Sequence, residues 1–155
     1  MRQPFKAVHL TTAVMALAVL ACAAFWIFVE PRTQAANSVV INGKQIELEV
    51  VESFAAITKG LGERDSLDRE AGMLFVLPFR GIHTFWMKGM RFPLDIIWLD
   101  DGTVVDMVSL DPPTPESPQP ETHRPAVQAD SVLELNAGMA AELGIKQGLK
   151  LDLPR

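Results

Sequence analysis

The chain has one cysteine, Cys22, among 155 residues, and three histidines. A lone thiol excludes an intrachain disulfide and any cysteine-based zinc site. Bases are scarce as well: fourteen Lys and Arg stand against nineteen Asp and Glu, for a net charge of −5. With Arg2, Lys6, Arg32 and Glu30 set aside, the remainder holds eleven bases and eighteen acids, a net of −7. A domain this acidic, without a basic run, is a poor match for a phosphate backbone, so nucleic acid is not an expected partner. No glycine-rich loop is set to cradle phosphate, and Ser109, Ser117 and Ser131 lack the glycines of a nucleophile elbow. His83 and His123 could join Asp95 or Glu134 in a mixed nitrogen and oxygen metal site. No pair among them has helical i, i+4 spacing, and neither a metal nor a cofactor is expected. Met73, Met87, Met90 and Met107 read as core filling.

What the chain does have is a long apolar run at its start. Arg2 and Lys6 precede Ala7 to Val29, interrupted by His9 and Thr11-Thr12. About 23 helical residues reach roughly 34 Å, enough for a hydrocarbon core of about 30 Å. Residues 1–36 are therefore expected to form a membrane or export helix and its linker, with basic residues favouring a cytoplasmic N-terminal end. A retained anchor fits the length of the run. Cleavage is the other reading, since Pro31 breaks the helix and Gln34-Ala35-Ala36 offers small residues to a peptidase. In either case residues 37–155 lie outside the cytoplasm.

Those residues read as one mainly β domain with two short helices, a compact β-sandwich or open barrel. Ser38 to Ile41, Asn42-Gly43 and Lys44 to Val51 form a hairpin, with Ile46, Leu48 and Val50 alternating against Glu47 and Glu49. Ser53 caps a helix over Phe54 to Lys59 that Gly60 and Gly62 end. Further strands are expected at Met73 to Leu77 before Pro78, His83 to Met87, Asp95 to Leu99, Thr103 to Leu110, Val127 to Leu135 and Lys150 to Leu153. The near-continuous apolar character of Asp95 to Leu99 suits a strand covered on both faces. Asn136 is placed to start a helix through Leu143 that Gly144 stops. Six of the eleven prolines fall between 111 and 125, which excludes sheet there and predicts an extended polyproline-like strap.

Several residues could carry chemistry. Along His83-Thr84-Phe85-Trp86-Met87-Lys88, strand alternation puts His83, Phe85 and Met87 on one side and Thr84, Trp86 and Lys88 on the other. An indole beside an ammonium makes a floor and an anion anchor for a small ligand. Asp95 opens the apolar strand; a Lys88–Asp95 ion pair would close the connection between them without any ligand. Asn136 suits a helix cap. Glu134 falls on the wet face by alternation, and gains interest only if that face is covered.

Gly72-Met73-Leu74-Phe75-Val76, Phe85-Trp86-Met87-Lys88 and Pro93-Leu94-Asp95-Ile96 resemble blocks of the bacterial and archaeal family called domain of unknown function 192. Val132-Leu133-Glu134-Leu135-Asn136-Ala137-Gly138 and Gly144-Ile145-Lys146-Gln147-Gly148 fit the same pattern, so the similarity runs from Val50 to Leu153. The resemblance implies a small β-rich domain, frequently behind an export signal, and no established activity. Two positions depart from it. Lys59-Gly60-Leu61-Gly62 stands where the family usually has Arg-Gly-Leu-Met, and Pro112-Pro113-Thr114-Pro115 where it often has a Pro-Cys pair.

The expectation from these residues is a non-catalytic, envelope-facing binding module for a small molecule, an envelope polymer or a partner protein. Its candidate ligand residues are Trp86, Lys88, Asp95, His83, Glu134 and Asn136. The alternative is a small hydrolase or transferase using Asp95 with Lys88 or His83. A purely structural domain in a larger envelope assembly is the third reading.

Overall fold

Asn42 and Gly43 have φ values of 50° and 79°, the two left-handed residues that a tight hairpin turn requires. They join β1 (Asn37–Ile41) to β2 (Lys44–Val51), where Ile46 and Leu48 are buried and Glu47 and Glu49 exposed. The computed structural model describes residues 37–154; the expected membrane or export helix and linker, 1–36, lie outside the described residues. Among the described residues no helix is long and apolar enough to cross a membrane.

Ser53 caps α1 (Phe54–Lys59), its hydroxyl accepting from the Ala56 N–H at 3.3 Å. This short helix carries the chain across to β3 (Ala71–Gly81), which pairs parallel to β2. The strand continues past Pro78, where it was expected to stop, because the ladder with its partner shifts register between Val76 and Gly81. A proline is tolerated in such an irregular stretch, where no ladder hydrogen bond depends on its missing N–H. Then come β4 (Phe85–Trp86), β5 (Leu94–Asp100), β6 (Thr103–Leu110), β7 (Thr122–His123), β8 (Ala129–Asn136) and α2 (Met139–Glu142).

The main sheet has six strands in the order β1-β2-β3-β8-β5-β6, with β4 and β7 paired separately. The mainly β character with two short helices is as expected, while the compact sandwich or open barrel is replaced by an open sheet. The physical reason lies in β3, β5 and β8, which are apolar on both sides and need cover on both faces. Helices and loops supply that cover. On one face Leu74, Ile97, Leu99, Leu133 and Leu135 pack with Met139 and Ala140 of α2 and with Leu143, Ile145 and Leu151. On the other, Met73, Phe75, Ile96, Trp98 and Val132 pack with Leu61, Met87 and Met90, and with the half-buried Ala56 and Ile57 of α1.

Three further boundaries differ from expectation. Asn136 still belongs to β8, so α2 begins at Met139. The last strand reduces to a single bridge between Thr103 and Lys150. The proline-rich segment is not purely extended: Thr114 and Ser117 close a small turn, and Thr122–His123 forms β7 between Pro120 and Pro125, where the N–H groups needed for pairing are present.

The start of α2 is built around Asp95. Gly138 provides no side-chain cap. Instead the Asp95 carboxylate, only 3% exposed, accepts from the Ala140 N–H at 2.8 Å and from the Ser109 hydroxyl at 2.5 Å. It thus ties β5, β6 and α2 together. Asp95→Ala strands the buried Ala140 N–H without an acceptor, and is expected to cost about 1 to 3 kcal/mol, measured as a fall in the urea midpoint.

Candidate functional site

Alternation along β8 decides the site. Leu133 and Leu135 enter the core on the α2 side, so Val132 and Glu134 face the α1 side. Glu134 lies opposite Met73 of β3 and Ile96 of β5, both buried, and is itself only 6% exposed. Its Oε2 has no hydrogen-bond partner among the described residues. Burial without compensation penalises the charged form and pushes its pKa up to about 8, so at neutral pH the group is mainly an uncharged acid.

Glu134 lines a recess of about 200 Å³. One wall is the end of α1 with Lys59 and the Gly60-Leu61-Gly62 loop; the other is Thr84, Phe85, Trp86 and Lys88, with Phe75 and Met90 beneath. Phe85 sets the position of β4: its ring meets Phe75 edge-on at 5.2 Å and Trp98 at 5.7 Å. With Phe85 held inward, Trp86 stands at the rim, 52% exposed, and Lys88 Nζ lies 5.3 Å from the indole centroid. The two walls are joined by the Glu63 N–H, which donates to the Gly89 carbonyl at 2.8 Å. A Cβ at Gly62 would sit 2.9 Å from the Lys59 carbonyl oxygen, so a side chain there would force the loop to shift.

The proline-rich segment fixes the same wall. Phe85 and Trp86 pair with His123 and Thr122, and the Met87 N–H donates to the Glu121 carbonyl at 2.9 Å. His123 is in turn held by Asp106 of β6 at 2.9 Å.

Of the residues singled out from sequence, Trp86, Lys88 and Glu134 line this recess, together with Thr84 and with Phe85, which alternation puts on the other side. The other three do not join them. Asp95 faces α2 across the sheet and makes no pair with Lys88. His83 Nε2 bonds the Phe79 carbonyl at 2.9 Å, while its own carbonyl accepts from Trp98 Nε1. Asn136 caps no helix; its amide donates to the carbonyls of Leu67 and Asp68 at 3.1 and 3.0 Å. Lys59 was not foreseen as a site residue. Its only signal is a base placed just before the glycines that end α1.

A larger depression of about 370 Å³ contains Asp101, Asp130 and Lys150, which already hold one another. Asp130 accepts from the Asp101 N–H at 2.9 Å and from the Ser131 hydroxyl at 2.8 Å, and Lys150 pairs with Asp101 at 3.0 Å. Glu134 has no such partner, which is what marks the smaller recess.

Comparison with known proteins agrees with this fold. The family model DUF192, described as "Uncharacterized ACR, COG1430", matches residues 37–153. A crystal structure of a protein of unknown function from Novosphingobium aromaticivorans DSM 12444 is 32% identical, with a TM-score of 0.61; the match covers 80% of this chain and 90% of that one. Another, titled a "putative transcription regulator" and from Sinorhizobium meliloti 1021, is 26% identical with a TM-score of 0.62, covering 76% and 91%. A search of curated proteins finds no match.

The buried acid makes stability depend on pH in a defined direction. A carboxyl whose pKa rises from 4.5 to about 8 on folding favours the folded state fully below pH 4.5, and that contribution is lost as pH climbs to about 8. Relative to Glu134→Gln, which cannot ionise, the native chain is expected to lose up to roughly 1.4 kcal/mol per pH unit across that window. Urea unfolding of both proteins at pH 5, 6.5 and 8 checks this; parallel curves would refute it.

Proposed function

The chain belongs to the DUF192 family, and on the site described above we propose that it is a non-catalytic binding module held outside the cytoplasm. It takes a small molecule, or a group on an envelope polymer, into the recess between α1 and β4. The observation that carries this reading is Glu134, a buried acid with an unpartnered oxygen at a recess walled by aromatic and lysine side chains. A desolvated polar group without a partner costs about 1 to 3 kcal/mol, and a ligand that supplies the partner recovers it. Aromatic walls with a few convergent polar groups are the usual make-up of small-molecule sites. The location rests on Arg2 and Lys6 ahead of the apolar Ala7 to Val29 run.

The enzymatic alternative built on Asp95 with Lys88 or His83 has less support. Asp95 is committed to Ser109 and Ala140 on the opposite face of the sheet, and His83 to Phe79. Acid–base chemistry in the recess would have to fall to Glu134. The regulator description of the Sinorhizobium protein is not extended to this chain either. Its two described helices have six and four residues, and the domain carries a net charge of −7. Both features work against entry into a DNA groove.

Ligand-detected NMR on the full chain with a panel of small sugars, amides and organic acids tests the binding role. Ligands of the recess are expected to weaken about tenfold, near 1.4 kcal/mol, in Trp86→Ala. Hits indifferent to both Trp86→Ala and Glu134→Leu would place binding elsewhere and overturn the reading. Cell fractionation with a carbonate wash tests the location. An anchored chain stays with the membrane and a cleaved one appears outside the cytoplasm, whereas an intact chain soluble in the cytosol overturns it.

A further inference from the structure

Most described bases of this acidic domain already hold a carboxylate. Lys44 and Arg69 share Glu142, Arg64 meets Glu49, Arg80 meets Asp100, Arg91 meets Asp65 and Lys150 meets Asp101. The described bases outside this set are Lys59, Lys88, Arg124 and Lys146, and two of those four line one recess. No carboxylate other than Glu134 lines it with them. Leaving two ammonium groups without an anion in a chain so rich in Asp and Glu marks a place for an external one.

We propose that the recess takes a small organic anion: a ring-sized body whose carboxylate meets Lys88 and Lys59 and whose far end hydrogen-bonds Glu134. This deepens the binding reading and rests on it. The volume of about 200 Å³ is below that of drug-sized pockets and suits a single ring. Phe75, Phe85 and Trp86 supply apolar and aromatic surface for that ring. The far end must carry a hydroxyl or amide, because the unpartnered Glu134 oxygen needs a hydrogen-bonding group and an apolar tip would leave it stranded. A cationic ligand is disfavoured by the two ammonium groups on the walls.

Charge also couples the anion to the protonation of Glu134. The charged groups that line the recess with it are Lys59 from α1 and Lys88 after β4; β3 and β5 present the apolar Met73 and Ile96. While Glu134 is uncharged, an anion meets only positive charge. Once it ionises, the anion sits against a carboxylate, and binding weakens.

The test uses the full chain in a polyoxyethylene detergent and three probes with one body: 4-(hydroxymethyl)benzoate, its amide and its benzylamine counterpart. Titration calorimetry at pH 7 is expected to rank the benzoate at least tenfold tighter than either of the others. Lys88→Gln should remove about tenfold of that affinity. Between pH 8 and 9 benzoate binding should fall several-fold in the native chain and stay level in Glu134→Gln. Glucuronate as a fourth probe separates two sources of the same chemistry. Tighter binding than benzoate identifies an acidic sugar of a polymer, and weaker binding a free organic acid. Equal affinity for benzoate and amide, or a preference for the amine that grows with pH, overturns the anion while leaving the binding module intact. If no probe binds while neutral panel compounds still bind through Trp86, the anion alone fails; if those fail too, both readings fall.

Discussion

A sheet covered on both faces leaves no water for side chains that point from its central strands, so each polar group there must find its partner inside the protein. Asp95 and Glu134 meet this constraint in opposite ways. They sit on adjacent strands one register step apart, Asp95 opposite Leu135 and Glu134 opposite Ile96. Alternation sends one carboxyl to each face. Asp95 finds a hydroxyl and a helix N–H and becomes part of the frame. Glu134 finds methionine and aromatic carbon around it and lines a recess without a hydrogen-bond partner for its Oε2. The same residue chemistry thus gives a structural joint on one side and a receptive site on the other.

The stability of the domain does not explain Glu134. An uncharged acid with a buried oxygen unsatisfied is worse there than a leucine of similar reach, and the ionised form is worse still. The frame tolerates it because the surrounding contacts are close. Gly72 on β3 permits the tightest of them: a Cβ there would stand 2.9 Å from the Glu134 carbonyl oxygen and 2.7 Å from Leu135. Strand β8 is therefore held hard against β3 at the residue that carries the acid. The rim is held differently, by the strap of residues 111–125 through Glu121, Thr122 and His123. Prolines on either side of β7 keep that segment stiff, so it braces β4 and Trp86 with only two ladder positions.

The sequence made the elements legible wherever periodicity and turn chemistry agree. Asn42-Gly43, the Ser53 cap and the Thr103 to Leu110 strand all appear as read. Layer arrangement was not legible, because apolar strands covered by helices and loops carry the same pattern as strands covered by a second sheet. The site was legible in part. Trp86 and Lys88 stand out by residue type, but Glu134 between two leucines reads as a wet-face residue unless it is known that α1 and the loop after β4 close over it. Asp95 misled for the converse reason. A carboxylate at the edge of an apolar strand and a lysine a few residues earlier suggest an ion pair, yet strand direction puts them on opposite sides of the sheet.

Charge placement then separates affinity for a ligand from the character of the whole surface. The domain is acidic overall, and at the ionic strength of most media that field is screened beyond about 8 to 10 Å. What a ligand meets at the recess is local: two ammonium groups at the walls and, at neutral pH, an acid that carries no charge. If Glu134 were ionised, its charge would offset one of the two lysines and the recess would be less positive. Keeping the acid uncharged by burying it is what allows a hydrogen-bonding group and a positive rim to coexist within one small cavity. The burial is supplied by Met73 and Ile96 on the flanking strands, so the net charge of the recess depends on the packing of the sheet beneath it.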